Sequence, residues 1–226
     1  MHTHSAETQA TMTPAKALQF LREGNDRFLG NLSANRNLQQ QVMETRQGQW
    51  PFAVVLGCID SRVPAELVFD QGIGDVFSVR IAGNCITDEV VGSLEFSCKI
   101  AGAKLIVVLG HSHCGAIKGV CDGVELGHLT TLLARLKPAV AATHEPADPR
   151  LRNSDNRQFV QAVADNNVKG MASQLTAVSA VLGGMSAAGA IDIVGAMYDV
   201  ETGKVEFMEP EARYELGVGA GSHASR

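Results

Sequence analysis

The 226-residue chain lacks a long apolar run, an excess of positive charge and an even number of cysteines. A membrane-spanning helix needs about eighteen or more consecutive apolar residues, and no run of that length occurs. The net charge is −5 and no basic stripe stands out, which argues against a nucleic-acid partner. We therefore expect neither a membrane nor a nucleic acid as a partner.

The odd number of cysteines, without a secretion signal, argues against a disulfide framework and favours a reducing, cytoplasmic location. The five are Cys58, Cys85, Cys98, Cys114 and Cys121. The polar residues 1–12 lack an apolar signal core, and we expect them to be a loose tail. The Gly/Ser/Ala-rich residues 211–226 are likewise expected to be flexible, which leaves 13–210 as a single domain.

Four short apolar runs, rich in Val and Ile, predict strands buried on both faces. They cover 52–57, 76–83, 104–110 and 190–200. Segments with helical spacing lie between them, which indicates an α/β fold with a short, mostly parallel sheet flanked by helices. A helix that opens at Thr13-Pro14 and a second, exposed helix over 35–49 would form an N-terminal helical arm. Residues 199–207 predict a C-terminal hairpin with its turn at Thr202-Gly203.

Two of the predicted strands end in chemically unusual sequences. The first runs into "CIDSR" (58–62) and the third into "GHSHCG" (110–115). Ligands of open parallel sheets bind at the carboxyl ends of strands, where these two loops would meet. Cys58, His111 and Cys114 offer the thiolates and imidazole that zinc prefers, and three protein ligands leave a fourth position for water, as in catalytic zinc sites.

The pair "CIDSRVPAE" and "GHSHCGAIKG" resembles the β-class carbonic anhydrases, and the resemblance runs from "MTPAKALQFLREGNDRF" through "RIAGN" to "VGAMYDVETGKV". It implies one zinc ion per subunit on Cys58, His111 and Cys114, and reversible hydration of carbon dioxide to bicarbonate. It also implies that Asp60 and Arg62 are the catalytic pair. In this family the aspartate either pairs with the arginine or coordinates zinc itself, and the sequence leaves both postures open.

The chemistry of the residues is consistent with these roles. Zinc lowers the pKa of bound water from about 15.7 to about 7, and a carboxylate such as Asp60 would orient the resulting hydroxide. Arg62 supplies a bidentate partner that would keep Asp60 off the metal. Because two thiolates donate more negative charge than imidazoles would, we expect activity that rises above neutral pH.

The resemblance also suggests a substrate pocket. Gln49, Phe77 and Phe96 match pocket residues of the plant-type subgroup, and Gly83 lies where the backbone approaches the site. In the family these residues meet across a dimer interface, which implies a homodimer or homotetramer. Val55 stands where the bicarbonate-inhibited subgroup has tryptophan, which favours the open-site form.

Other interpretations remain at this stage. A related hydrolase of carbonyl sulfide or carbon disulfide, or a non-catalytic zinc module that binds bicarbonate, would share the ligand pattern. The Asp60 and Arg62 side chains would form an ordinary ion pair in a protein without the metal. Isolated cysteines are usually packing residues, which is our interpretation of the other three. His113, next to Cys114, is expected to face solvent or to support the site without binding the metal.

Overall fold

The structure is a computed structural model and describes residues 3–208. Its strands are β1 (Ala53–Gly57), β2 (Val76–Arg80), β3 (Leu105–His111), β4 (Asp192–Tyr198) and β5 (Val205–Phe207). Its α-helices are α1 (Ala6–Ala10), α2 (Pro14–Leu29), α3 (Leu38–Thr45), α4 (Ala65–Val68), α5 (Asp88–Glu95), α6 (Gly115–Cys121), α7 (Gly127–Ala134), α8 (Lys137–Ala142), α9 (Arg157–Val178) and α10 (Ala180–Ala187). Short 3₁₀ turns cover Ala82–Asn84 and Pro149–Leu151, and a π-helical turn covers Phe96–Ile100.

The strands form one sheet in the order β2-β1-β3-β4-β5. The first four are parallel, and β5 returns antiparallel to β4 as the second strand of a terminal hairpin. This confirms the expected fold class. It also makes β1 and β3 direct neighbours, with Gly57 opposite Leu109. The carboxyl ends of these two strands therefore meet at the same edge of the sheet.

Strands β1 and β3 are buried along their whole length. Alternate side chains point to opposite faces, so Val54 and Leu56 pack into a cluster with α5 and α9, whereas Ala53 and Val55 face α2 and α4. Each fully buried Val or Leu side chain contributes roughly 1.5–3 kcal/mol of transfer free energy. The two apolar layers hold the central strands rigidly, and the site is built on the ends of these strands.

Strand β2 departs from the sequence prediction. We expected a strand over 76–83 buried on both faces, but β2 ends at Arg80 and is the edge of the sheet. Its residues are half-buried or exposed. An edge strand has only one hydrogen-bonded neighbour. The apolar side chains of this edge, Phe77 and Val79, pack only partly against the core.

The N-terminal segment is folded onto the domain from residue 5 onward, contrary to the loose tail expected over 1–12. Ser5 caps α1, the Gln9 amide donates to the carbonyls of Pro51 (2.7 Å) and Ala101 (2.9 Å), and Met12 is buried. Thr13 caps α2 with Pro14 at its first position, as predicted. Residues 211–226 lie outside the described part of the chain, so the predicted C-terminal tail and the domain boundary at 210 stay predictions.

The C-terminal hairpin is tied to the N-terminal arm by one buried residue of α2. Asn25 donates to the carbonyl of Gly203 (3.0 Å) and accepts from the N–H of Val205 (2.9 Å). Gly203 has φ +81°, a conformation that glycine adopts without strain. Within residues 3–208, no helix has the length and apolar character needed to cross a bilayer.

Candidate metal centre

Cys58, His111 and Cys114 converge at the carboxyl edge of the sheet. Cys58 directly follows β1, His111 is the last residue of β3, and Cys114 is the residue before α6. β1 and β3 are adjacent and in register. Their carboxyl ends therefore bring Cys58 close to His111 and Cys114, although it lies 53 or more positions from them in the chain. One sulfur or nitrogen atom from each side chain lies within 4.8 Å of the other two, and all three side chains are buried. The predicted convergence is therefore present.

The two sulfur atoms lie 4.0 Å apart and do not form a disulfide. Hydrogen bonding with Cys114 lowers the pKa of Cys58, and the same pairing together with burial raises the pKa of Cys114. One sulfur thus carries negative charge at neutral pH while the other retains the proton. A divalent cation in place of that proton would stabilise both thiolates.

The His111 ring presents a buried nitrogen that has no hydrogen-bond partner. Its Nδ1 donates to the carbonyl of Ser112 at 2.9 Å, which leaves the lone pair on Nε2. Nε2 is among the few buried polar side-chain atoms without a partner in the described chain. Leaving a buried acceptor unpaired costs about 1–3 kcal/mol, so this atom points to a ligand. A metal ion bound to Nε2, with Nδ1 tied to a carbonyl, is the usual arrangement of a histidine ligand.

The donor set fits a tetrahedral metal site. Two zinc–sulfur bonds of about 2.3 Å at a tetrahedral angle would place the sulfurs about 3.8 Å apart, close to the 4.0 Å between Cys58 and Cys114. Three protein ligands leave one coordination position open to an outside molecule. The geometry is therefore that of a catalytic centre rather than of a closed structural one.

Asp60 is held beside this centre by Arg62. The guanidinium donates from Nε to Oδ1 (2.9 Å) and from Nη2 to Oδ2 (2.8 Å), and the Arg62 backbone N–H adds a third bond to Oδ1 (3.0 Å). These bonds hold the pKa of the Asp60 carboxyl well below its ordinary range. Oδ2 is 3.9 Å from His111 Nε2. The carboxylate thus borders the metal centre while paired with the arginine, which is one of the two postures left open by the sequence.

Two residues support the Cys58 loop, and one of them, Arg80, escaped the sequence interpretation. Arg80, at the end of β2, donates to the backbone carbonyls of Cys58 (2.9 Å) and Asp60 (2.6 Å). Gly83, which the resemblance placed near the site, donates its N–H to the Cys58 sulfur at 3.4 Å. Arg80 lies in a segment of ordinary strand pattern, so no signal singled it out.

The loop between the other two ligands is tied to the C-terminal hairpin. The Ser112 hydroxyl donates to Asp199 (2.9 Å), and the Ser112 N–H bonds to the carbonyl of Tyr198 (2.9 Å). His113 pairs with Glu201 at 3.0 Å and is not part of the cluster of three ligand atoms. This agrees with its expected supporting or solvent-facing position.

The predicted pocket residues divide into two groups. Phe77 and Phe96 lie together at the β2 edge, with ring centroids 6.3 Å apart. Phe77 pairs with Val54, about 13 Å back along the strand from Cys58. Gln49 is exposed in the loop before β1. Because β1 is five residues long, its length separates Gln49 from the metal centre of the same chain by about 16 Å. Of the four predicted pocket residues, only Gly83 lies at the metal centre of its own chain.

The remaining cysteines of the described chain form no disulfide, lie outside the cluster of three ligands, and pack as the sequence suggested. Burial raises the pKa of Cys98 to about 12 and that of Cys121 to about 11. Burial likewise raises the pKa of Cys85. None of the three belongs to the cluster of Cys58, His111 and Cys114, and their burial is consistent with packing.

A mostly parallel α/β sheet with a Cys-His-Cys metal centre at its carboxyl edge, flanked by an Asp-Arg pair, defines a class of metal-dependent enzymes. The family model for carbonic anhydrase matches residues 53–205. The chain belongs to this family, and to its β class. β-Carbonic anhydrases are metalloenzymes that hydrate carbon dioxide reversibly, and this chain is an enzyme of that type.

Curated relatives extend the likeness over nearly the whole chain. A carbonic anhydrase of Mycolicibacterium smegmatis is 34% identical over 200 residues, which cover 85% of this chain and 92% of the relative. One from Pseudomonas aeruginosa is 28% identical over 202 residues, with 84% and 87% covered. The family is therefore supported well beyond the two motifs.

Solved structures agree with the fold. A β-carbonic anhydrase of Aspergillus fumigatus is 29% identical with a TM-score of 0.65, covering 76% of this chain and 83% of that one. A β-carbonic anhydrase of Sordaria macrospora, described as tetrameric, is 25% identical with a TM-score of 0.67, covering 84% and 96%. The five-stranded sheet is thus the sheet of this class.

Proposed function

We propose that Cys58, His111 and Cys114 bind one Zn²⁺ per subunit, with which this chain hydrates carbon dioxide. The observation that carries the proposal is the buried, unpartnered His111 Nε2 within 4.8 Å of two buried sulfurs. Thiolate and imidazole together favour zinc over the harder cations magnesium and calcium, which prefer oxygen ligands. When bound, zinc supplies a Lewis acid that lowers the pKa of water and so provides a nucleophile near neutral pH.

Asp60 would orient the attacking nucleophile. Its carboxylate is ionised, borders the metal centre at 3.9 Å from His111 Nε2, and is restrained by three hydrogen bonds from Arg62. An ionised carboxylate is only an acceptor, so it would hold a donor in one direction and turn the nucleophilic lone pair towards the carbon of the substrate. Arg62 restrains the carboxylate from turning to the metal, because it holds both oxygens, while Oδ2 accepts only one of these bonds and keeps a lone pair for a further donor.

The substrate is small and apolar, and its pocket would be completed by a second subunit. Gln49 is too far along β1 to serve the centre of its own chain, and Phe77 with Phe96 lies on the half-exposed β2 edge. Phe96 is 53% exposed and lies against Phe77, so the two rings give this edge an apolar surface that a partner subunit would cover. We infer a homodimer, or a homotetramer built from dimers, in which each subunit lends these residues to its neighbour.

A cytoplasmic location is the remaining part of the proposal. All five cysteines are unpaired, as expected in a reducing compartment. The metal centre needs both sulfurs reduced, because a disulfide between Cys58 and Cys114 would remove two ligands.

The activity is tested by stopped-flow hydration of carbon dioxide with zinc-loaded protein and Asp60→Ala as the control. We expect a rate well above buffer that falls strongly in the variant. Measurements at about pH 7 and about pH 9 are both needed, because two thiolate ligands should make the rate rise above neutral pH. No rate above buffer at either pH would contradict the proposal.

The shared pocket is tested by mixing two inactive variants. Cys58→Ser removes a metal ligand, and Gln49→Ala removes a pocket residue. In a mixed dimer, the intact metal centre of the Gln49→Ala subunit receives Gln49 from its neighbour. About a quarter of wild-type activity should return after unfolding and refolding an equal mixture, since half of the dimers are mixed and each has one complete site. No recovery in dimers shown to be mixed would mean that Gln49 acts within its own chain or not at all.

A further inference from the structure

The 3₁₀ turn Ala82–Asn84 reaches the metal centre through a single backbone group. The Gly83 N–H donates to the Cys58 sulfur at 3.4 Å. A hydrogen bond to a thiolate withdraws electron density from the sulfur, so it changes how strongly that sulfur donates to a bound cation. The orientation of one peptide group is therefore a means of tuning the centre.

This turn has a backbone conformation that needs outside support. Gly83 has φ +68° and Asn84 has φ +43°. The left-handed region is sparsely populated by residues other than glycine. Such a conformation persists where the surrounding structure holds it.

The support comes from α9, 84 residues further along the chain. Asn167 is 2% exposed, and its Nδ2 donates to the Gly83 carbonyl at 2.9 Å. The Gly83 Cα is closely packed as well, since a Cβ on Gly83 would lie 2.7 Å from Leu136 Cδ1. Gly83 is thus held through its carbonyl by an amide of α9 while its N–H faces the sulfur.

We propose that Asn167 is a positioning residue of the metal centre. By holding the Gly83 carbonyl, it fixes the φ and ψ angles of Gly83 and so keeps the N–H of the preceding peptide group directed at Cys58, which weakens the donation of electrons from that sulfur to the metal. This inference rests on the metal site proposed above. A residue that only filled space would need the volume of Asn167, whereas this role needs its amide donor.

The test replaces zinc with cobalt(II), whose sulfur-to-metal charge-transfer band reports the donor strength of the thiolates. Asn167→Leu keeps the approximate volume and removes the donor. We expect its band at longer wavelength than in the wild type, because a thiolate without the hydrogen bond is a stronger donor. Asn166→Leu is the matched control, since Asn166 lies next to it on α9 and donates to Thr143 instead (2.9 Å). The control should keep the wild-type band.

The outcomes separate this inference from the metal site itself. A wild-type protein without any sulfur-to-cobalt band would overturn the proposed metal site. A normal wild-type band that stays unchanged in folded Asn167→Leu would overturn only the role of Asn167. If the leucine variant does not fold, Asn167→Ala also removes the donor, and an unshifted band in it would count equally against the proposal.

The hydrogen bond can also be detected in the unaltered protein. With spin-active cadmium at the centre, an N–H···S bond transmits a scalar coupling between the amide proton and the metal nucleus. We expect this coupling at the Gly83 amide in the wild type and in Asn166→Leu, and its reduction or loss in Asn167→Leu or Asn167→Ala. Absence of the coupling at Gly83 in cadmium-loaded wild type would overturn the proposal without any variant.

Discussion

Two parts of this molecule contain the same local structure, an aspartate clamped by the arginine two residues later. In Asp60-Ser61-Arg62 and in Asp148-Pro149-Arg150, the arginine backbone N–H bonds to one carboxylate oxygen at 3.0 Å, and the guanidinium reaches both oxygens. In both, the clamp lowers the pKa of the aspartate.

The two clamps differ in what surrounds them. The Asp60 side chain is 18% exposed and borders the metal centre, whereas the Asp148 and Arg150 side chains are 35% and 88% exposed in a surface loop. An Asp-x-Arg clamp is therefore a structure that short segments form by themselves. It gains a chemical role only where a strand end carries it to metal ligands, so the same substitution should have different effects at the two sites.

The largest contrast should come from Asp60→Asn against Asp148→Asn. We expect the first to lower kcat/KM by about 10³-fold, close to 4 kcal/mol of transition-state free energy, because it removes an oriented anionic acceptor from the reaction. The second should leave the rate unchanged. Stopped-flow rates of proteins with equal zinc content decide this, and equal rate losses in the two variants would contradict the distinction.

A third aspartate separates stability from catalysis. Asp70 is buried and bound by Arg27 and Arg36, from α2 and the segment before α3. Removing one partner of a buried charge pair costs about 3 kcal/mol or more, because the other charges stay buried. Asp70→Asn should lower the free energy of unfolding by about this amount, while the rate per folded, zinc-loaded molecule stays as in wild type. A stability change below that of Asp148→Asn would refute this assignment.

The arginine can be tested by a change that keeps its charge. Lysine cannot form the bidentate clamp, so Arg62→Lys should lower the rate about tenfold, near 1.4 kcal/mol, and let Asp60 turn towards the metal. Arg150→Lys is the control and should have no effect on the rate. An Arg62→Lys rate equal to that of wild type would mean that charge alone restrains Asp60.

The smallest expected effect is the contribution of Asp60 to the pH profile. Because Arg62 holds the pKa of Asp60 well below its ordinary value, the carboxylate is ionised throughout the working range. Any stability from this pair is present above the unfolded pKa of about 3.9 and is lost as pH falls through the lower folded pKa. The rate should therefore rise above neutral pH, and the pH–rate profile should show no further step from titration of Asp60. Titration of its carboxyl carbon by NMR between about pH 5 and 9 should show no change, and a transition in that range would contradict the clamp.

Much of this arrangement could be predicted because it is local in the chain. Buried strands show as apolar runs, and Cys58, Asp60 and Arg62 lie within five residues, while His111 and Cys114 lie within four. Adjacent parallel strands then bring the two motifs together. The fold class and the ligand convergence followed from these patterns.

The rest depends on contacts between distant segments. Asn167 and Arg80 act on residues 84 and 22 positions away, and such separations have no characteristic spacing. The folded position of residues 5–12 depends on amide bonds to carbonyls of Pro51 and Ala101. The exposure of β2 follows from its place at the edge of the sheet, which an apolar run does not reveal.

X-ray absorption spectroscopy at the zinc edge of the loaded protein tests the central claim most directly. If Cys58, His111 and Cys114 bind the metal while Arg62 retains Asp60, the spectrum should fit two sulfur atoms at about 2.3 Å and two nitrogen or oxygen atoms at about 2.0–2.1 Å. The shell should be the same in Asp60→Asn, because Asp60 is not a ligand. A shell with fewer than two sulfurs, or one that loses an oxygen ligand in Asp60→Asn, would contradict the account.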